Sequence, residues 1–521
     1  MSTPLADALS DAGAIAPTGP PPTEAGAPEL FRNIQATSVV GALQIGVLFV
    51  MLCRSKLLAV LLRPEGIGIV SMLDQLVQFV TQVSAFSLIA APTRFIARAV
   101  VEGRDALVSM YQALLKILLL TLVGGAAITL MLLVLAPQVL GTRLTAYVGG
   151  AAVAIVGAPL AGLSMFYANV AAATKGYRVT SLYLFAAAAM SLAAAYVGVR
   201  TRGIVGLYYG NLVASAVCVT ALIWYLHSVL PLRFHVRGFR LFSQLEQHRD
   251  ILAYCGTSYV LTFAQPLAFL IVRSLALDHL GSTQAGYFHA AFAVSSLSSM
   301  VLVQAIRVYL EPQVNRTKDD RLKIAAANDF QRTFAILVLL GTLPLVLFPR
   351  EIIALLFSPA FTPVSGFLFI FVIADCMFLC AQVYGTVVMA VDDFRGFFLA
   401  QIAGYILLAV LAALLTPRFG VAGLAWSFVV SRGAVFGLML GVLALRHRLF
   451  MSARLGAVLL YALAAVLGSA MVFGDRPVTT AAVAAIRIAV FAAIALGTLR
   501  FLARDERAWL LTWWRPSPGA L

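Results

Sequence analysis

Three kinds of side chain could do chemistry inside this otherwise apolar 521-residue sequence: matched arginines, isolated carboxylates and a stripe of amides. Arg54 and Arg273 each close the first apolar run of one half of the chain. A guanidinium grips phosphate through two parallel N–H bonds where lysine offers a point charge. Two of them could hold an anion between them, or each could snorkel to headgroups. Arg94 and Arg307, near the ends of the second and eighth runs, could extend such a basic lining or snorkel in the same way. Asp74, Gln78 and Gln82 recur every four residues with Gln75 and Thr81 beside them. That spacing makes one polar helical face, which either packs on a neighbouring helix or walls a cavity. Asp375 and Gln382 lie seven residues apart on one face of a later run. A carboxyl at that depth is neutral, paired or ion-coupled, with Arg432 as its candidate partner. Asp74, Asp375 and Arg432 are therefore the candidates for coupling to a proton or sodium ion. Lys116, Arg487, His289 and Asn169 have simpler structural readings.

The elements that must position these groups follow from composition. Hydrophobic residues make up 61% of the chain and charged residues 11%, against roughly 25% charge in soluble domains. The apolar runs are long and show no period-two alternation, so an all-α polytopic membrane protein is expected. Five cysteines without paired spacing indicate neither a disulfide framework nor a zinc site. The net charge of +15 is spread over short connections, which reads as a topology signal and not as nucleic-acid binding. No catalytic set and no glycine-rich nucleotide loop is present, so neither an enzyme nor an ATPase is indicated.

Fourteen spans are expected, at 33–53, 67–91, 107–136, 144–172, 179–199, 203–230, 251–277, 286–310, 328–348, 363–391, 396–416, 420–445, 455–473 and 480–502. Lys and Arg total 24 over the connections and tails on the side of the N-terminus and 10 on the other, which puts both termini in the cytoplasm. Residues 1–32 read as a disordered cytoplasmic tail without a secretory signal, 231–250 as a cytoplasmic linker and 506–521 as a C-terminal tail.

Sliding the chain against itself until Tyr167 falls on Tyr384 also brings Gly203-Ile-Val-Gly-Leu207 onto Gly420-Val-Ala-Gly-Leu424. With small gaps, Arg54-Ser55 meets Arg273-Ser274 and Gly68 meets Gly286. The offset drifts by only three positions across six spans, as expected of a duplication into lobes at 33–230 and 251–445, with spans thirteen and fourteen, 446–505, outside it. Parallel repeats of this kind are a transporter architecture.

The stretch TSVVGALQIGVLFVMLCRSKLLAVLLRPEGIGIVSMLDQL resembles the N-terminal signature of the polysaccharide or O-antigen flippases, within the multidrug/oligosaccharidyl-lipid/polysaccharide exporter superfamily. Thr37, Gly41, Arg54, Pro64, Glu65, Gly66 and Gly68 fit that signature, while Arg63 stands where a glycine is common. The resemblance implies two six-helix lobes in a V around a cationic cavity that opens alternately to either face of a bacterial inner membrane. The implied substrate is an undecaprenyl-pyrophosphate-linked oligosaccharide, supplied by glycosyltransferases and consumed by a glycan polymerase in surface or exopolysaccharide synthesis. Arg54, Arg273 and Arg307 would meet the pyrophosphate, with Arg94 extending the lining. Gln44, Gln78, Gln82, Gln265, Gln382 and Tyr384 would meet sugars, and the lipid tail would stay in the bilayer. A cation-coupled multidrug exporter calls for a carboxylate-rich cavity, a polytopic glycan polymerase or ligase for a larger outer loop, and a membrane scaffold for no matched arginines.

Overall fold

A computed structural model describes residues 27–135, 147–175, 177–230, 249–474, 476–498 and 500–501. Residues 1–26 of the expected tail, 231–248 of the expected linker and the 506–521 tail lie outside the described residues. Among the described residues the chain is helical, with no strand. The membrane-length helices are α1 (Ala27–Ala85), α3 (Arg104–Leu135), α4 (Val148–Lys175), α5 (Tyr177–Val229), α6 (Arg249–Leu275), α7 (Ser282–Ala305), α9 (Asp320–Leu347), α11 (Leu368–Ala390), α12 (Phe394–His447), α13 (Ala453–Phe473) and α14 (Ala481–Thr498). Shorter helices are α2 (Ala91–Glu102), α8 (Glu311–Arg316) and α10 (Pro349–Leu356). By length and composition, ten helices among the described residues can cross a membrane.

Three of the ten are about twice the length a bilayer needs. Each breaks at one point: α1 at Arg63, α5 at Arg202-Gly203 and α12 at Gly420. Split at those points, and with α7 in the eighth place, the helices give each of the fourteen expected spans its own segment. The protein is a multi-pass membrane protein whose spans one and two, five and six, and eleven and twelve join without a loop.

The breaks carry the duplication into the backbone. Gly203 has φ 59° and ψ −137°, and Gly420, its equivalent in the second repeat, has φ 61° and ψ −140°. Beyond each break the hairpin closes on a second glycine. A Cβ on Gly206 would strike the Gly198 carbonyl, and one on the equivalent Gly423 the Leu415 carbonyl. The other pair of turns is unequal. Arg63 has φ 57° and ψ 179°, and its second-repeat equivalent Gly281 has φ 89° and ψ 167°. That region is essentially reserved for glycine and costs another residue about 1–3 kcal/mol.

The chain divides into two compact units. The first comprises Met1–Arg63 and Val70–Leu270, the second Pro64–Ile69 and Ile271–Leu521. The division runs through α6 and assigns the six residues Pro64–Ile69 of α1 to the second unit. In the first unit α6 lies along α1: Gln75 Nε2 donates to the Pro266 carbonyl at 3.3 Å, Tyr259 to the Val83 carbonyl at 3.2 Å, and the Phe86 and Tyr259 rings sit 4.5 Å apart. The core of this unit gathers Tyr111, Leu114, Phe166, Leu226 and Cys255 from α3, α4, α5 and α6.

In the second unit α11 is the most enclosed of the membrane-length helices, and packs on α9 and α12 around Val383, Tyr384, Val387 and Met439. The turn Pro64–Ile69 sits against the start of α7 with no side chain between the backbones. A Cβ on Gly68 would strike the Ser282 carbonyl, and one on Gly286 the Pro64 carbonyl. Pro64 with Ser282 and Gly68 with Gly286 are equivalent positions of the duplication, so each glycine admits the other repeat's carbonyl.

Candidate functional site

The first unit holds a mostly apolar cavity of about 220 Å³ with a few oxygens in its wall. Asp74 reaches it from α1, Ser164 from α4, and Tyr183, Tyr208 and Asn211 from α5. The Tyr208 hydroxyl lies 2.8 Å from Asp74 Oδ1 and 3.1 Å from the Val70 carbonyl, so its one proton can serve only one of them at a time. Ser164 Oγ and the Tyr183 hydroxyl are 2.6 Å apart. Asn211 Oδ1 is buried and has no hydrogen-bond partner among the described residues. A carboxylate, an amide and hydroxyls thus gather at one side of a small, mostly apolar space.

This geometry divides the polar stripe of span two. Gln75 and Thr81 are buried and bond the backbones of Pro266 and Ala158, which is helix packing. Asp74 lines the cavity, Gln78 is exposed and Gln82 is half-buried. Packing and cavity wall are thus both present, on different residues of one helix.

In the second unit Arg432 of α12 donates to Asp375 Oδ1 on α11. Asp375 is 2% exposed, and the guanidinium carbon sits 5.0, 5.1 and 5.8 Å from the ring centres of Phe378, Phe428 and Phe292. An ion pair inside aromatic walls gains Coulomb and cation–π attraction where water cannot screen it. Asp375 Oδ2 has no partner among the described residues. Arg273 is also buried, and its Nη1 lies 3.1 Å from His289 Nδ1. A guanidinium can only donate, so His289 accepts there and carries its proton on Nε2. One turn on, Ser274 donates to Asp278 Oδ2 at 3.1 Å.

The remaining candidates are placed more loosely. Arg54 is half-buried, with its Nε lacking a hydrogen-bond partner among the described residues. Gln44, Gln265 and Arg307 are exposed, and Gln382 is half-buried. Arg94 lies on α2, a separate amphipathic helix, and not at the end of span two. Tyr384 is wholly enclosed in the core of its unit and donates to Asn328 Oδ1 at 2.6 Å, which leaves its ring no open face in this conformation. Arg487, fully buried, donates to the Leu347 and Arg476 carbonyls and so ties α14 to the end of α9.

Sequence reading passed over Tyr208, Asn211 and the phenylalanine walls around Arg432. The duplication does recur in a bonded pair outside the cavity: Tyr111, bonded to Tyr167 at 2.9 Å, aligns with Asn328 at the same offset that aligns Tyr167 with Tyr384, so each repeat bonds the same two positions.

Duplicated all-helical units with charged groups held inside their spans define the class as a polytopic membrane protein with a transporter-type fold. No protein-family profile matches the chain. Over 281 residues it is 24% identical to the lipid III flippase of Escherichia coli (strain K12), and equally to that of Shigella flexneri. The match takes in 53% of this chain and 66% of each relative, so it spans just under two thirds of their length. Among solved structures, the inward closed conformation of the lipid II flippase MurJ superposes with a TM-score of 0.66 at 12% identity, covering 89% of this chain and 99% of that one. An inward-facing multidrug resistance MATE family transporter of the MOP superfamily superposes at 0.64 and 14% identity, covering 78% and 94%. The fold is the one those two transporters share.

Proposed function

We propose that the protein is a transporter that flips a lipid-linked saccharide across a bacterial inner membrane, with the pyrophosphate of an undecaprenyl carrier as the group its arginines recognise. The observation that carries this reading is the matched pair Arg54 and Arg273, half-buried and buried at equivalent positions of the two repeats inside apolar helices. Charge at such depth is expensive and is kept where a ligand or pathway needs it. Arg307 and Arg94 would extend the cationic path, and Gln44, Gln78, Gln82, Gln265 and Gln382 would offer amides to sugar hydroxyls. The sequence similarity to lipid III flippases and the fold shared with a lipid II flippase support a lipid-linked substrate. Glycosyltransferases and a polymerase would be functional partners, and both termini would be cytoplasmic.

A second reading, a cation-coupled exporter of organic cations, draws on the Asp74 cavity and the fold shared with a MATE transporter. The two are separated by charge. Arg54→Ala and Arg273→Ala should each lower export of surface glycan at least tenfold with membrane insertion intact, and leave resistance to cationic drugs unchanged. Normal glycan export from the double variant would overturn the flippase reading. In either case Asp74 and the Asp375–Arg432 pair are the proposed coupling groups for a proton or sodium ion.

A further inference from the structure

We infer that Arg63 is a further substrate-contacting residue, whose guanidinium meets the phosphate of the lipid-linked substrate at the membrane face reached by the first span. The inference rests on the flippase reading above and names a contact that reading does not contain.

The backbone argues first. Arg63 lies in the region at φ 57° and ψ 179° that suits glycine alone, and a proline follows it, which narrows its options further. Arg448, another residue with positive φ, takes the milder left-handed helical conformation at φ 55° and ψ 36°. The chain itself contains the unstrained solution, since the equivalent turn of the second repeat uses Gly281. Gly203 and Gly420 show the same choice at the other two loopless turns.

The conformation cannot relax locally. Pro64 is buried, its carbonyl occupies the place a Gly286 side chain would need, and Gly68 is closed against Ser282. Strain of this sort persists only where the surroundings fix it. What an arginine adds over glycine at such a point is its side chain, and the fold makes no use of it: Arg63 is exposed and has no ion-pair or hydrogen-bond partner among the described residues. Nine residues separate it from Arg54, about 14 Å of helix and half a turn around its axis, so Arg63 would be a contact distinct from Arg54, at the end of the span.

The test uses the full chain in phosphatidylcholine nanodiscs, with and without phosphatidylglycerol, and farnesyl pyrophosphate as the probe. Arg63→Gly should raise the thermal unfolding midpoint, because strain is released, and weaken probe binding about tenfold, the loss expected for one charge-assisted hydrogen bond. Arg63→Lys should leave the midpoint unchanged and weaken binding less. Gain of stability with loss of binding is the result a purely structural arginine would not give. Unchanged affinity in Arg63→Gly, a lower midpoint, or a difference seen only in the presence of phosphatidylglycerol would overturn the inference. Arg54→Ala and Arg273→Ala in the same discs separate the two levels. If they lose binding and Arg63→Gly does not, this inference alone fails; if they also bind normally, the flippase reading fails.

Discussion

The two repeats share a backbone and differ in what they fill it with. At equivalent positions Asp74 and Tyr208 of the first unit become Phe292 and Ala425 in the second, while Asp375 and Arg432 of the second correspond to Ala158 and Ser215 in the first. The first unit therefore keeps a carboxylate and hydroxyls beside its cavity, and the second an ion pair behind phenylalanine rings. The ends differ too. Asp393 caps α12 through the Gly396 amide at 2.9 Å and takes two 3.0 Å bonds from Arg446, stapling span eleven to span twelve. The equivalents in the first unit are Gly176 and Val229. Duplication fixed where helices turn and left the interior free to diverge: beside its 220 Å³ cavity one unit carries Asp74 and Tyr208, while the other carries a buried ion pair and an apolar cavity of about 320 Å³.

The contrast breaks most readily at Arg432. Arg432→Leu leaves Asp375 as an uncompensated buried charge and should lower stability by about 3–5 kcal/mol. Adding Asp375→Leu should recover most of the loss, as read by thermal unfolding in detergent. An Arg432→Leu protein as stable as wild type would mean that the pair does not bolt the second unit.

A matched pair of milder changes sharpens the comparison. Tyr384→Phe strips Asn328 of its donor in the core of the second unit and should cost about 1–3 kcal/mol. Tyr167→Phe should cost less, since Tyr111 keeps a second partner in His227 Nε2 at 3.0 Å. Equal losses would say that both interiors are equally committed.

The smallest effect expected is one of pH. Burial pushes the Asp393 carboxyl up, but the Gly396 amide and the Arg446 guanidinium outweigh it and hold the group below the ordinary carboxylate range. A depressed folded-state value contributes stability above the unfolded value and loses it as pH falls through the folded one. Wild type should therefore lose a small stability increment on acidification below about pH 4 that Asp393→Asn lacks at every pH. Parallel pH curves for the two proteins would remove Asp393 as a staple.

Much of the fold was legible in the sequence because lipid imposes one rule, a long apolar run for each crossing. The Gly203 and Gly420 turns were legible because only glycine tolerates their torsions. Asp375 and Arg432 could be paired from the cost of leaving either alone. Beyond reach were the features that depend on tertiary packing: the transfer of Pro64–Ile69 to the second unit, Arg94 on its own helix, the enclosure of Tyr384, and the lining of a cavity by Tyr208 and Asn211. Arg63 was visible as a departure from a glycine position, but its torsion was not.

The breaks at Arg63, Gly203 and Gly420 each turn the chain from one span into the next without a loop. With one or two residues to turn a corner, they give a protease no extended backbone to cut and an antibody no loop to hold. Epitope tags or reporter domains inserted at these corners should abolish assembly, so topology mapping at them has to rely on single cysteines and small labelling reagents.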